Sequence, residues 1–169
     1  MLTNHQILDL APKMDIPLVG VAFKDDLTDS LGKLQYNKSY IVNLENEMGL
    51  DNKRNNGTHW VCFQVNMMKN GKTQAMYFDS FGIAAPESIS KYMGFDPMHQ
   101  TKNLQDMVAD TCGYWCLSWL HFINAYPQRS GDMYSDTQLY LDLFNDLNTS
   151  CDFQQNEYYL KQFFKAVPA

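Results

Sequence analysis

The sequence predicts an α+β domain on three observations. Alternating and β-branched runs crowd the first half of the chain, helical patterns fill the second half, and an Asn-Gly pair joins two of the strand-like runs. With 169 residues, 45% of them apolar and only 19% charged, the chain is expected to bury a core as a single domain over 1–169. No repeat, low-complexity tract or Pro/Ser linker suggests a second one.

The elements follow in order. "TNHQILDLA" opens with a capping Thr or Asn and then spaces Ile7, Leu8 and Leu10 as a short helix. "IPLVGVAF" and "SYIVNL" are β-branched runs between breakers and read as strands. "GTHWVCFQV" sets His59, Val61, Phe63 and Val65 on one face, with Trp60, Cys62 and Gln64 on the other. "MMKNGKTQ" carries Asn70-Gly71, the strongest local hairpin signal, and leads into "QAMYFD". Past "SFGIAAPES", a helix over 86–93 begins near Pro86 and stops at Gly94. Helical patterns then cover 112–126, 135–147 and 153–167. The expected arrangement is a central mixed or antiparallel sheet packed against helices.

Charge narrows the function classes. The net charge is −6 and the isoelectric point about 5.0. No Lys/Arg cluster exceeds the pair in "NKRNN", so neither nucleic acid nor an anionic membrane surface is an expected partner. The first residues, "MLTNHQILDLAPKMD", lack a basic region and a long apolar run, and no apolar run reaches about 18 residues. Four cysteines in a chain of this size suggest reduced thiols and an intracellular setting.

The chemistry centres on "DMVADTCGYWCLSWLHF". Cys112 opens the expected helix, where free backbone N–H groups and the helix dipole favour a thiolate. The same N–H groups can stabilise an oxyanion, and Gly113 lets a substrate backbone come close. A small buried apolar residue is the equally ordinary alternative for Cys112. A thiolate nucleophile needs an imidazole, and the imidazole needs an orienting acceptor. His121 lies nine residues after Cys112 on the same helix, about half a turn away in angle, so it faces elsewhere. His5 sits in the first helix and His99 in a polar loop. His59, at the start of a strand, can project into a cleft.

If the two strands pair around Asn70-Gly71, partners have residue numbers summing to about 141. That register places Asp79 opposite about Cys62, close to the His59 end of the hairpin. An Asp closing the apolar "AMYFD" is costly without a partner. Gln105, seven residues before Cys112, could donate from an uncharged amide into an oxyanion hole. Metal is not expected: His59 and Cys62 point to opposite faces of a strand, and there is no Cys-x-x-Cys pair. Nor is any cofactor. Cys116, Cys62 and Cys151 read as structural thiols.

Together, "GTHW…YFDSFG…Q…TCGYWC" resembles the adenovirus-type maturation proteases, relatives of the SUMO-deconjugating (Ulp-type) cysteine proteases. Those families run His, acid, Gln, Cys along the chain. "IVNLEN", "FDSFG" and "CLSWLHFINAYPQ" extend the likeness over about 16–164. The resemblance implies a viral cysteine endopeptidase with His59 as general base, Asp79 as its orienter, Cys112 as nucleophile and Gln105 as oxyanion donor. It also implies capsid or core precursors as substrates, cleavage after small residues such as Gly, and action in the virion or the host-cell interior. Trp60 matches a family position beside the site, where it could wall a narrow cleft. Three departures limit the likeness. The segment from Asp79 to Cys112 is shorter than in the adenoviral enzyme, no cysteine there matches the one that binds an activating peptide, and the acid is Asp, as in the SUMO-protease branch. Activation by a peptide or by DNA is therefore not carried over. A Ulp-like deconjugating protease and an acetyltransferase with the same His-Asp-Cys set are the alternatives; the latter would need a basic coenzyme A pocket that few Lys/Arg could build. A non-catalytic binding module would have no reason to keep all four residues.

Overall fold

Helices begin where side chains satisfy the first free backbone N–H groups. At Thr3 this is a full capping box: Thr3 Oγ1 accepts from Gln6 N–H at 3.2 Å, and Gln6 Oε1 accepts from Thr3 N–H at 2.8 Å. The helix that follows, α1 (Asn4–Lys13), buries Ile7 and Ala11. The computed structural model describes residues 1–53, 58–125, 132–145 and 149–167. After α1 come β1 (Leu18–Phe23), α2 (Leu27–Leu31), β2 (Lys38–Asn43), β3 (Trp60–Met67) and β4 (Thr73–Phe78). The second half holds α3 (Glu87–Met93), β5 (Met98–His99), α4 (Cys112–Ala125), α5 (Met133–Leu141) and α6 (Ser150–Lys165). The expected helix end at 126 lies outside the described residues, whereas the helix expected over 135–147 stops at Leu141, where Asp142 is its C-cap.

The five strands form one mixed sheet in the order β1-β2-β3-β4-β5. β1–β2 and β4–β5 run parallel, while β2–β3 and β3–β4 run antiparallel. The fold is α+β, as the sequence predicts. β3 is central and is covered on both faces. Its Trp60 and Cys62 join the core built with α1, α4, α5 and α6. Its Val61, Phe63 and Val65 join a second core under α2 and α3. The alternation read from "GTHWVCFQV" is therefore real, but both of its faces are dry.

Three details differ from the sequence reading. The hairpin pairs Cys62 with Phe78 and Met67 with Thr73, so partners sum to 140 rather than 141. A two-residue turn at Asn70-Gly71 would give 141. Instead Met68 N–H donates to Lys72 O and Gly71 N–H to Met68 O, which makes a three-residue loop over 69–71 in which only Gly71 takes positive φ, at 80°. Second, α5 and α6 begin earlier than expected, because Asp132 caps Ser135 N–H and Thr149 forms a capping box with Asp152. Third, α2 and β5 were not expected. One is a single helical turn and the other a two-residue strand holding His99, and neither is long enough to display a period.

α4 places the nucleophile candidate. Nine of its residues are buried, from Cys112 to Ile123, and they include Trp115 and Trp119. A helix apolar around its circumference belongs inside. Here it packs against the β3 face that carries Trp60 and Cys62, with α1, α5 and α6 around it. Among the described residues, no helix is long and apolar enough to cross a membrane.

Candidate active site

His59 directly precedes β3 and is pinned through its backbone, since His59 O accepts from Leu44 N–H at 3.0 Å. Asp79 directly follows β4 and is 2% exposed. The observed register shifts it one place nearer His59 than a two-residue turn would. The result is a bond from His59 Nε2–H to Asp79 Oδ1 of 2.8 Å. The same Oδ1 accepts from Phe81 N–H at 2.9 Å, and Gly82 N–H donates to Asp79 O at 2.8 Å, closing a tight turn over "DSFG". The Phe81 ring stacks on the imidazole, with centroids 4.5 Å apart and planes 15° from parallel. Gly82 takes φ 74°, and a Cβ there would lie 2.5 Å from the Thr101 carbonyl oxygen. The loop from β5 toward α4 can cross this turn only because residue 82 is a glycine.

Cys112 is the first residue of α4 and is 1% exposed. Its Sγ accepts from Trp60 N–H at 3.3 Å. It also interacts with the His59 imidazole. With Nε2 donating to Asp79, Nδ1 is the ring nitrogen left for the thiol. Burial disfavours the charged imidazole, but hydrogen bonding to Asp79 and Cys112, and the charges of both, outweigh it. The balance pushes His59 up to about 9 from 6.5. This favours an imidazolium beside the sulfur, the arrangement that supports a thiolate. Burial pushes the Cys116 and Cys62 thiols up instead. Those two are inert core groups, with Cys62 Sγ directed at the Phe78 and Cys116 carbonyls. Cys151 lies exposed on α6.

Gln105 is 1% exposed and held at both ends of its amide. Oε1 accepts from Ser80 Oγ–H at 2.7 Å, and Nε2 donates to Ala109 O at 2.7 Å. Its loop is tied to the acid's turn by Leu104 N–H on Ser80 O at 2.8 Å and by Gln100 Nε2–H on Asp79 O. The four residues thus form one connected set: Gln105 to Ser80, Ser80 next to Asp79, Asp79 to His59, and His59 to Cys112.

Trp60 and Gly113 sit differently from the expectation of a cleft wall and an open approach. Trp60 is 3% exposed, and its Nε1–H donates to Leu2 O at 2.8 Å. A Cβ on Gly113 would meet Leu2 and Trp60, each at 3.2 Å. Both positions serve packing between the N-terminal segment and α4, while Trp60 adds a backbone N–H on Sγ. His121 Nδ1–H donates to Met14 O at 2.7 Å and takes no part in this set. Sequence reading missed Ser80, Phe81 and the Trp60 N–H. For the first two, the signal was the compact "DSFG" after a strand, in which every residue has a partner.

No family model matches the chain, and no curated protein matches it in sequence. Among solved structures it is similar to a crystal structure of an ASFV protease in selenomethionine form, with a TM-score of 0.35 and 16% identity. The overlap covers 63% of this chain and 44% of that one, so the chain spans under half of that protein's length. Likeness of this extent fixes neither family nor activity, and the chemistry rests on the geometry above.

Proposed function

We propose that this chain is a cysteine peptidase of the viral, adenovirus- and Ulp-related kind, with Cys112 as nucleophile and His59 as its base. The carrying observation is the His59 Nε2–Asp79 Oδ1 bond of 2.8 Å on an imidazole that also interacts with Cys112 at a helix N-terminus. In this reading Asp79 fixes the ring so that Nδ1 takes the thiol proton, and Trp60 N–H helps hold the thiolate. The thiolate attacks the scissile carbonyl carbon, and the developing oxyanion is met by the Cys112 N–H and the remaining Gln105 N–H. His59 passes its proton to the leaving amine, and water hydrolyses the thioester to regenerate the thiol. A thiol only 1% exposed favours entry of small side chains, which supports cleavage after residues such as Gly.

The proposed substrates are capsid or core precursors, met in the virion or the host-cell interior. Incubating wild type and Cys112→Ala with such precursors, and with ubiquitin-like conjugates, and then sequencing the new termini tests this. New termini after Gly in the precursors, absent with Cys112→Ala, are the expected result. Cleavage of the conjugates alone would make the chain a deconjugating enzyme, and equal cleavage by Cys112→Ala would remove the mechanism.

A further inference from the structure

We propose that Ser80 is a positioning residue for this reaction: it anchors the Gln105 amide in the sense that the Ala109 carbonyl sets, with a nitrogen, rather than the oxygen, free to donate to the oxyanion. The inference rests on the peptidase reading. A glutamine amide is nearly symmetric in shape but opposite in chemistry at its two ends. Turned the wrong way, it would present an acceptor to a developing negative charge and raise the barrier instead of lowering it.

One contact prevents this, and a second holds the amide in that sense. The Ala109 carbonyl can only accept, so the amide end it meets, at 2.7 Å, must be Nε2. Ser80 fills the other end by donating its hydroxyl to Oε1 at 2.7 Å. Nε2 carries two N–H groups, and Ala109 takes one of them. Ser80 is fully buried, so no water can replace its hydroxyl at Oε1. It also grips the loop a second time, through Leu104 N–H on its own carbonyl at 2.8 Å. Because Ser80 directly follows Asp79, one step of backbone couples the orientation of the base to that of the oxyanion donor. The arrangement assigns a task to each residue of "DSFG": Asp79 holds the ring, Ser80 holds the amide, Phe81 covers the imidazole, and Gly82 admits the crossing loop.

The test is a double-mutant cycle on a Gly-Gly peptide amide of aminocoumarin, read as kcat and KM for wild type, Ser80→Ala, Gln105→Ala and the double variant. Gln105→Ala is expected to lower kcat by about 10²–10³-fold, the loss typical of one oxyanion donor. Ser80→Ala should lower kcat by about 10-fold with KM unchanged, as an interaction made only in the transition state would. The double variant should match Gln105→Ala alone, because with no amide to orient the hydroxyl has no task. Additive losses would overturn the proposal and leave the peptidase reading intact. A wild type that cleaves no peptide would overturn the reading itself. Alkylation of Cys112 by iodoacetamide, which needs no oxyanion hole, should run at the wild-type rate in Ser80→Ala. Should Ser80→Ala fail to fold, Ser80→Cys keeps a similar volume with a weaker donor, and its kcat should fall between those of wild type and Gln105→Ala. An unchanged kcat in a folded Ser80→Cys would count against the proposal.

Discussion

His59 sits at a balance of opposing effects, and the balance is measurable. Its side chain is 15% exposed, so burial works against the charged ring, yet Asp79 and Cys112 together raise it to about 9. A group whose folded value lies above its unfolded one stabilises the fold fully below the unfolded value, here 6.5. That stabilisation is lost as the pH rises through about 9. The size is on the order of 3 kcal/mol. Wild type should therefore lose thermal stability between pH 6.5 and 9. Asp79→Asn removes the facing charge, so its melting temperature should vary much less over that window. The same substitution should lower kcat by about 10⁴-fold, the loss seen when a buried acid no longer fixes its histidine. Parallel melting curves for the two proteins across this pH range would show that Asp79 does not set the charge on His59.

Short elements and turns are where sequence reading runs thin, and they are also what assembles the site. The alternation in β3 and the helical pattern of α4 were legible because each repeats over many residues. The hairpin was legible in kind but not in register, since Asn70-Gly71 suits a two-residue turn and the chain adopts a three-residue loop. That single step is what moves Asp79 toward His59. The turn after β4 was legible only at Asp79, because the partners of Ser80, Phe81 and Gly82 come from the loop before α4 and from His59. Gly82 offers the sharpest test. A Cβ there needs positive φ and would strike Thr101 backbone, whereas a Cβ on Gly71, also at positive φ, meets nothing within 4 Å. Gly71→Ala should cost about 1 kcal/mol, the conformational penalty alone. Gly82→Ala should cost at least about 2 kcal/mol more in urea unfolding, since the loop must move. It should also lower kcat, because the displaced loop carries Gln105. Equal costs for the two variants would mean that the loop does not bear on the turn.

Residues far apart in sequence meet through the second half of the chain, and Asn156 is the joint. The order His, Asp, Gln, Cys was readable because each type suits its chemistry, but nothing local in "DFQQNEYYL" marks Asn156 as more than a surface amide. In the fold it is fully buried on α6. Its Nδ2 donates to Leu104 O at 3.3 Å and to Asn145 O at 2.6 Å, and its Oδ1 accepts from Asn145 N–H at 2.8 Å. One side chain thus ties α6 to the residues after α5 and to the loop that carries Gln105. Lys102 adds a second tie from that loop, donating to the carbonyls of Leu141 and Phe144 at the end of α5. Asn156→Leu keeps the volume but strands three backbone groups, each costing about 1–3 kcal/mol when left unpaired. The fold should lose about 3–5 kcal/mol in urea unfolding, within the range of a broken buried network. Asn156→Asp keeps an acceptor for Asn145 N–H but turns a buried carboxylate oxygen toward the carbonyls of Leu104 and Asn145, so it should destabilise the fold as well. The consequence for catalysis separates this joint from ordinary core packing. A loosened Leu104 should release Gln105 while leaving His59 and Cys112 in place, since those two are held by β3, β4 and α4. At a temperature where Asn156→Leu is folded, kcat should fall about 10-fold or more, while iodoacetamide should still alkylate Cys112 at the wild-type rate. Alkylation and kcat falling together would instead place the damage in the nucleophile's own surroundings.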